Sequence, residues 1–116
     1  MQDFKQLTVW QKSHQLALDV YAATMQFPRE EMFGLTSQVR RSAVSIPSNI
    51  AERRGRSNDG EMRRFMQIAL GSAAELEYQL LLAKDLTYIT ENTLLGLNSQ
   101  LQEVRKMLIG FIKALK

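Results

Sequence analysis

The sequence predicts an all-α fold, an antiparallel up-down four-helix bundle that is oligomeric, and three observations carry that prediction. Turn chemistry is concentrated at Phe27-Pro28-Arg29, at residues 55–60 and at residues 86–90, so three breaks divide the chain into four segments. Within each segment apolar residues recur at spacings of three and four, the period of a helix with a covered face. The last segment keeps a strict 3-4 alternation over about three heptads, the period of left-handed bundle packing. Short connections between such segments make sequential helices antiparallel neighbours.

The first segment spans residues 8–26. Thr8 with Gln11 has the pattern of a capping box, in which hydroxyl and amide satisfy two backbone donors at a helix start. Trp10, His14, Ala17 and Tyr21 fall on one face, extended by Leu16, Val20 and Ala23, and Pro28 stops the helix because it cannot continue the hydrogen-bond ladder. The second segment spans 34–54. Leu35, Val39, Ser42, Ile46, Ile50 and Arg53 form one stripe that keeps its phase through Pro47, which predicts a kinked helix and not a break.

The third segment spans 59–86, with Asn58 and Glu61 offering a cap. Met62, Met66, Ala69, Ala73, Leu76, Leu80 and Ala83 make its main stripe, while Leu70, Ala74 and Leu81 lie on nearly the opposite side. A helix apolar on two sides is covered on two sides, so Leu70, Ala74 and Leu81 are expected to meet another subunit. The small side chains of Gly71-Ser72-Ala73-Ala74 permit close helix approach. The fourth segment spans 91–115, capped by Thr90, with Leu94, Leu97, Leu101, Val104, Leu108, Phe111 and Leu115 as its seam.

At 116 residues the chain has the length of one domain, taken as 1–116. With 45% hydrophobic and 23% charged residues it has the composition of a globular protein. Cysteine is absent, which excludes disulfides, thiol nucleophiles and cysteine-based metal sites and fits a reducing, cytoplasmic setting. No run approaches the ~18 apolar residues of a membrane span, and Met-Gln-Asp-Phe-Lys does not open a secretory signal, so no membrane is implied.

The search for chemistry finds no catalytic constellation, no metal site and no cofactor motif, so an enzyme is not expected. His14 is the only histidine and has no partner at ligand spacing. Glu75 and Glu77 stand two apart on a helix, hence on different faces, and cannot act as an acid/base dyad by themselves. The glycines have neither phosphate-loop nor dinucleotide spacing. Glu30-Glu31, beside Pro28, reads as a solvated turn.

Two groups of polar residues each carry a plain and a sharper reading. Gln38, Arg41, Ser45, Asn49, Glu52 and Arg56 share a stripe on the second segment, and Glu61, Ser72, Glu75 and Gln79 lie similarly on the third. They are either solvated faces or a polar network between helices or subunits that fixes register, with Arg41 and Glu75 at least half-buried. Seven arginines (Arg40, Arg41, Arg53, Arg54, Arg56, Arg63 and Arg64) stand against Glu52, Asp59 and Glu61 between residues 40 and 64, a local charge of +4 in a chain of net +3. This is either a solvated face with ion pairs or a phosphate-binding surface of Arg40, Arg53, Arg54, Arg56, Arg63 and Arg64. No aromatic residue is interleaved with these arginines, so backbone contact without sequence readout is the most the pattern supports.

Phe4-Lys5-Gln6-Leu7 with Val9-Trp10-Gln11-Lys12, then Phe33-Gly34-Leu35-Thr36-Ser37-Gln38-Val39-Arg40-Arg41, then the specific string Ser45-Ile46-Pro47-Ser48-Asn49-Ile50-Ala51-Glu52, and finally Ile68-Ala69 with Gly71-Ser72-Ala73-Ala74-Glu75-Leu76-Glu77 resemble one family over nearly the whole chain. It is the family of four-helix bundle proteins encoded in intervening sequences of bacterial 23S rRNA genes, the S23-type ribosomal proteins. The resemblance implies a ring-like homopentamer. It also implies kinship in fold with the accessory variability protein of diversity-generating retroelements, a basic pentameric barrel that binds nucleic acid and a reverse transcriptase. The family has no settled activity. It usually has glycine after the Ala-Glu pair, where this chain has Arg53, which adds positive charge at that turn. The expected function is therefore a non-enzymatic oligomer that binds nucleic acid, RNA foremost, through the arginines. The alternative is a protein-protein assembly or scaffold module with no nucleic-acid ligand.

Overall fold

The computed structural model describes residues 3–52 and 58–115. A 3-10 turn at Phe4–Gln6 leads into α1 (Thr8–Thr24), a second one at Arg29–Glu31 into α2 (Leu35–Glu52), and α3 (Asp59–Asp85) and α4 (Glu91–Ala114) follow. No strand occurs among the described residues. The 27 residues of α3 are about 40 Å long at 1.5 Å per residue, close to the 43 Å long axis of the molecule. α1 packs on α2 and α4, and α3 packs on the same two, so the four helices enclose one core.

That core is drawn from every helix. Leu16 and Val20 of α1, Val39, Ile46 and Ile50 of α2, Met66 and Leu76 of α3, and Leu101, Val104 and Leu108 of α4 have no exposed surface. On α4 the expected seam is the buried face, with Leu94 and Phe111 half-buried against its ends. On α3 the main stripe is buried as expected from Met66 to Ala83. α2 continues unbroken across Pro47, whose ring is itself buried.

Two of the three caps expected from local sequence form. Asn58 Oδ1 accepts the Glu61 amide at 2.7 Å, and Thr90 Oγ1 accepts the Thr93 amide at 3.1 Å. The capping box expected at Thr8 does not form. The turn at Phe4–Gln6 makes Leu7 the cap position, without a side-chain cap, and Gln11 Nε2 donates to the Lys5 carbonyl at 2.9 Å instead. A local competing acceptor, presented by that turn, wins the amide.

α1 turns only part of the expected face inward, Leu16, Ala17 and Val20. Its buried residues are Val9, Ser13, Leu16, Ala17, Val20 and Thr24, whereas Trp10 is half-buried and His14 and Tyr21 are exposed. The buried face uses small side chains whose hydroxyls are satisfied within the helix: Ser13 Oγ donates to the Trp10 carbonyl and Thr24 Oγ1 to that of Tyr21. The aromatic residues Trp10 and Tyr21 are left outside this buried face.

Polar contacts join helices along their lengths. Lys12 pairs with Glu103 at 3.1 Å and Gln100 donates to Asp19 at 3.0 Å between α1 and α4. Glu77 accepts from Arg105 at 2.6 Å and from Gln102 at 3.0 Å between α3 and α4.

The turn between α3 and α4 holds Thr87 at φ 65°, a left-handed conformation unfavourable to a β-branched residue. Thr87→Gly is expected to raise stability by about 0.5–1 kcal/mol, the relief of backbone strain less the extra chain entropy of glycine. Urea denaturation measures it, and a loss of stability would show that the hydroxyl matters more than the strain.

Candidate nucleic-acid interface

The arginines of the expected phosphate-binding surface divide in the structure. Arg53, Arg54 and Arg56 lie outside the described residues. Arg63 and Arg64 occupy the first turns of α3, Arg63 half-buried and Arg64 exposed, only a short connection beyond Glu52 at the end of α2. Arg40 stands apart. It lies twelve residues before the end of α2, about 18 Å along the axis. Its Nε donates to Thr24 Oγ1 at 2.8 Å, and its guanidinium sits 4.6 Å from the Tyr21 ring centroid. Arg40 fastens α2 to the end of α1 through a hydrogen bond and a cation-π contact.

The polar stripes of α2 and α3 do meet. Ser72 Oγ donates to Ser45 Oγ at 2.7 Å, and Asn49 Nδ2 donates to the Ser45 carbonyl and hydroxyl at 2.8 and 3.1 Å. Beside this bridge a groove of about 470 Å³ is lined by Phe33, Gln38, Arg41, Glu75 and Gln79, among others. Asn49 stands next to the groove through its bond to Ser45, and Glu52, exposed, is a full turn beyond it. Arg41 and Glu75 line the groove but are exposed, not half-buried as expected, and the contact between the two helices is made by the serine bridge. Removing Glu75 therefore leaves no buried donor unsatisfied among the described residues. The Gln79 carbonyl oxygen, by contrast, is buried with no hydrogen-bond partner. Glu77, two residues from Glu75, faces α4 and Arg105, so the two acids are separated as their spacing requires.

The residues expected to meet another subunit also differ among themselves. Leu70 is half-buried against the chain's own core, while Ala74 and Leu81 are exposed. Two further features emerge from the packing. An apolar groove of about 390 Å³ between α1 and α2 is walled by Trp10, Leu18, Tyr21, Val44 and Pro47, with the His14 ring stacked on Trp10 at 4.8 Å. Phe33, just before α2, is 94% exposed. The sequence carried a signal for the first of these in the Trp10–His14–Tyr21 stripe, although that stripe reads equally well as a core face.

Glu31, expected to be solvated, anchors the start of α2. Its Oε1 accepts the Leu35 amide at 3.0 Å and its Oε2 accepts the Tyr88 hydroxyl at 2.9 Å. The Leu35 amide and then the Tyr88 hydroxyl hold the Glu31 carboxyl below its ordinary value of 4.5, and the same bond raises the Tyr88 phenol. A methyl group on Gly34 would lie 2.8 Å from Glu31 Oε1, so glycine leaves room for this carboxylate. A lowered carboxyl stabilises the fold above its unfolded value and ceases to do so as pH falls through its folded value. Glu31→Gln is thus expected to be less stable than the parent at pH 7, with the difference closing below pH 4.5. Urea titrations at pH 7 and pH 3 measure this, and a pH-independent difference would assign the effect to packing alone.

Among the described residues no cluster of histidine and carboxylate side chains could hold a metal ion, and no helix is long and apolar enough to cross a membrane. A family model described as 23S rRNA-intervening sequence protein matches residues 5–110. Among solved structures, the chain is similar to a protein of unknown function from the S23 ribosomal protein family of Bacteroides thetaiotaomicron. The two are 30% identical with a TM-score of 0.82, over 92% of this chain and 100% of that one. No curated protein matches.

Proposed function

This chain belongs to the 23S rRNA-intervening sequence protein family, and from that membership we propose that it is a non-enzymatic, cytoplasmic, self-associating protein that holds nucleic acid, RNA foremost, by its phosphate backbone. The observation that carries this reading is the concentration of charge. Seven arginines and three acids give residues 40–64 a net +4, and all but Arg40 and Arg41 belong to the connection from α2 to α3 or its flanking turns. Charge focused in this way attracts a polyanion and displaces its counterions.

The reading includes a single domain, an up-down bundle and a homopentamer. The pairs Lys12–Glu103 and Asp19–Gln100, which progress in opposite senses along α1 and α4, support the up-down order. The exposed apolar residues Leu18, Val44 and Leu81 support association. A ring would repeat the basic end on each subunit, and on one long nucleic acid the later contacts become effectively intramolecular.

Fluorescence anisotropy with mixed RNA and DNA over a salt series tests the nucleic-acid reading. A linear fall of log affinity with log salt supports it, and absence of binding at low salt overturns it. Sedimentation equilibrium tests association, and a monomer at micromolar concentration overturns that part. A second reading, a scaffold whose partner is protein alone, is favoured by the apolar groove between α1 and α2, and it takes the lead if no nucleic acid binds.

A further inference from the structure

We propose that the groove between α2 and α3 takes one unpaired guanine of an RNA strand, with Phe33 as its stacking surface, Arg41 at its phosphate and the Glu75 carboxylate of α3 at its hydrogen-bonding edge. This rests on the nucleic-acid reading and adds to it a base-selective site where the arginine pattern alone supports only backbone contact.

Four observations converge on it. Phe33 is 94% exposed, the most of any large apolar side chain described, and it lines the same groove as Arg41. An aromatic face left in water next to a guanidinium has the makeup of a platform for single-stranded nucleic acid. Arg41 is uncommitted among the described residues, whereas Arg40 is held by Thr24 and Tyr21 and Arg105 by Glu77. On the opposite wall, no described contact engages the exposed Glu75 carboxylate. That accessible acceptor calls for a ligand edge that donates. Finally, about 470 Å³ lies in the range of small-ligand pockets and far below that of an extended strand or helix.

The donor requirement selects among bases. Guanine presents N1–H and N2–H side by side, a pair that one carboxylate accepts together. Adenine and cytosine offer an amino group beside a ring acceptor, which a carboxylate repels, and uracil offers one donor between two carbonyls. The expected order is thus guanine first and uracil well behind.

The test uses the full chain and two labelled RNAs, an all-uridine decamer and the same decamer with one central guanosine. Anisotropy is read for the parent, Phe33→Ala and Glu75→Gln, each checked for fold by circular dichroism and for association by sedimentation. The parent is expected to bind the guanosine decamer roughly tenfold more tightly, in keeping with one stacked and hydrogen-bonded base. Both variants are expected to lose that preference and to keep the salt slope of the parent, and Phe33→Ala also weakens binding of the all-uridine decamer severalfold because any base can stack on an aromatic face. Equal binding of the two decamers by the parent overturns the site while leaving the backbone reading intact, and failure to bind either overturns the backbone reading itself. A preference that survives in both variants also overturns the site. So does a change in association state on Phe33→Ala, which would make the groove a contact with a second copy. Competition by GMP as strong as that of the guanosine decamer would assign the groove to a free nucleotide and overturn the strand.

Discussion

Leu101→Ala is expected to lower the stability of the fold by about 3 kcal/mol, within the range for leucine truncation in a packed core. Leu101 has no exposed surface and sits midway along the α4 seam between Leu97 and Val104, where α4 meets the core shared by all four helices. The core that Leu101 joins is built from all four helices, which limits how far it can collapse around a truncated side chain. The change therefore combines lost transfer free energy with a residual cavity. Leu95, on the same helix but 56% exposed, supplies the control, and Leu95→Ala is expected to change stability by less than about 0.5 kcal/mol. Urea denaturation at a fixed protein concentration, needed because association would add to apparent stability, measures both. A cost below about 1 kcal/mol at Leu101 would mean that α4 is not seated as described.

Arg54→Glu with Arg63→Glu is expected to weaken binding to all nucleic acids by on the order of 100-fold at low salt and to flatten the salt slope, because fewer counterions are released. The double change takes the charge of residues 40–64 from +4 to zero, two units for each reversal. Loss should be equal for RNA and DNA of any sequence, since backbone contacts carry no sequence information. Arg63 is half-buried, so a second variant with Arg64→Glu in its place, at an exposed position, separates loss of charge from loss of packing. Lys106→Glu, exposed on α4, changes the net charge without touching the arginine cluster and should matter far less. If both double variants bind as the parent does, the patch assignment fails and the scaffold reading leads.

What the chain determines by itself is what acts over one or two turns. The caps at Asn58 and Thr90 were legible because donor and acceptor lie three residues apart, and the α4 seam because its 3-4 alternation has only one apolar face. The separation of Glu75 from Glu77 follows from helix geometry alone. Three things were decided only by tertiary structure. α1 buries Leu16, Ala17 and Val20 of its expected face but leaves His14 and Tyr21 exposed, and where that face ends was set by its rotation against α2 and α4. Glu31 became an anchor because Tyr88, 57 residues away, is folded against it. Arg41 and Glu75 line one groove where the Ser45–Ser72 bridge joins α2 and α3. Periodicity gives each residue an angle around its own helix axis. The rotation of that helix against its neighbours is set by the summed packing of the core, which no local stretch of sequence contains.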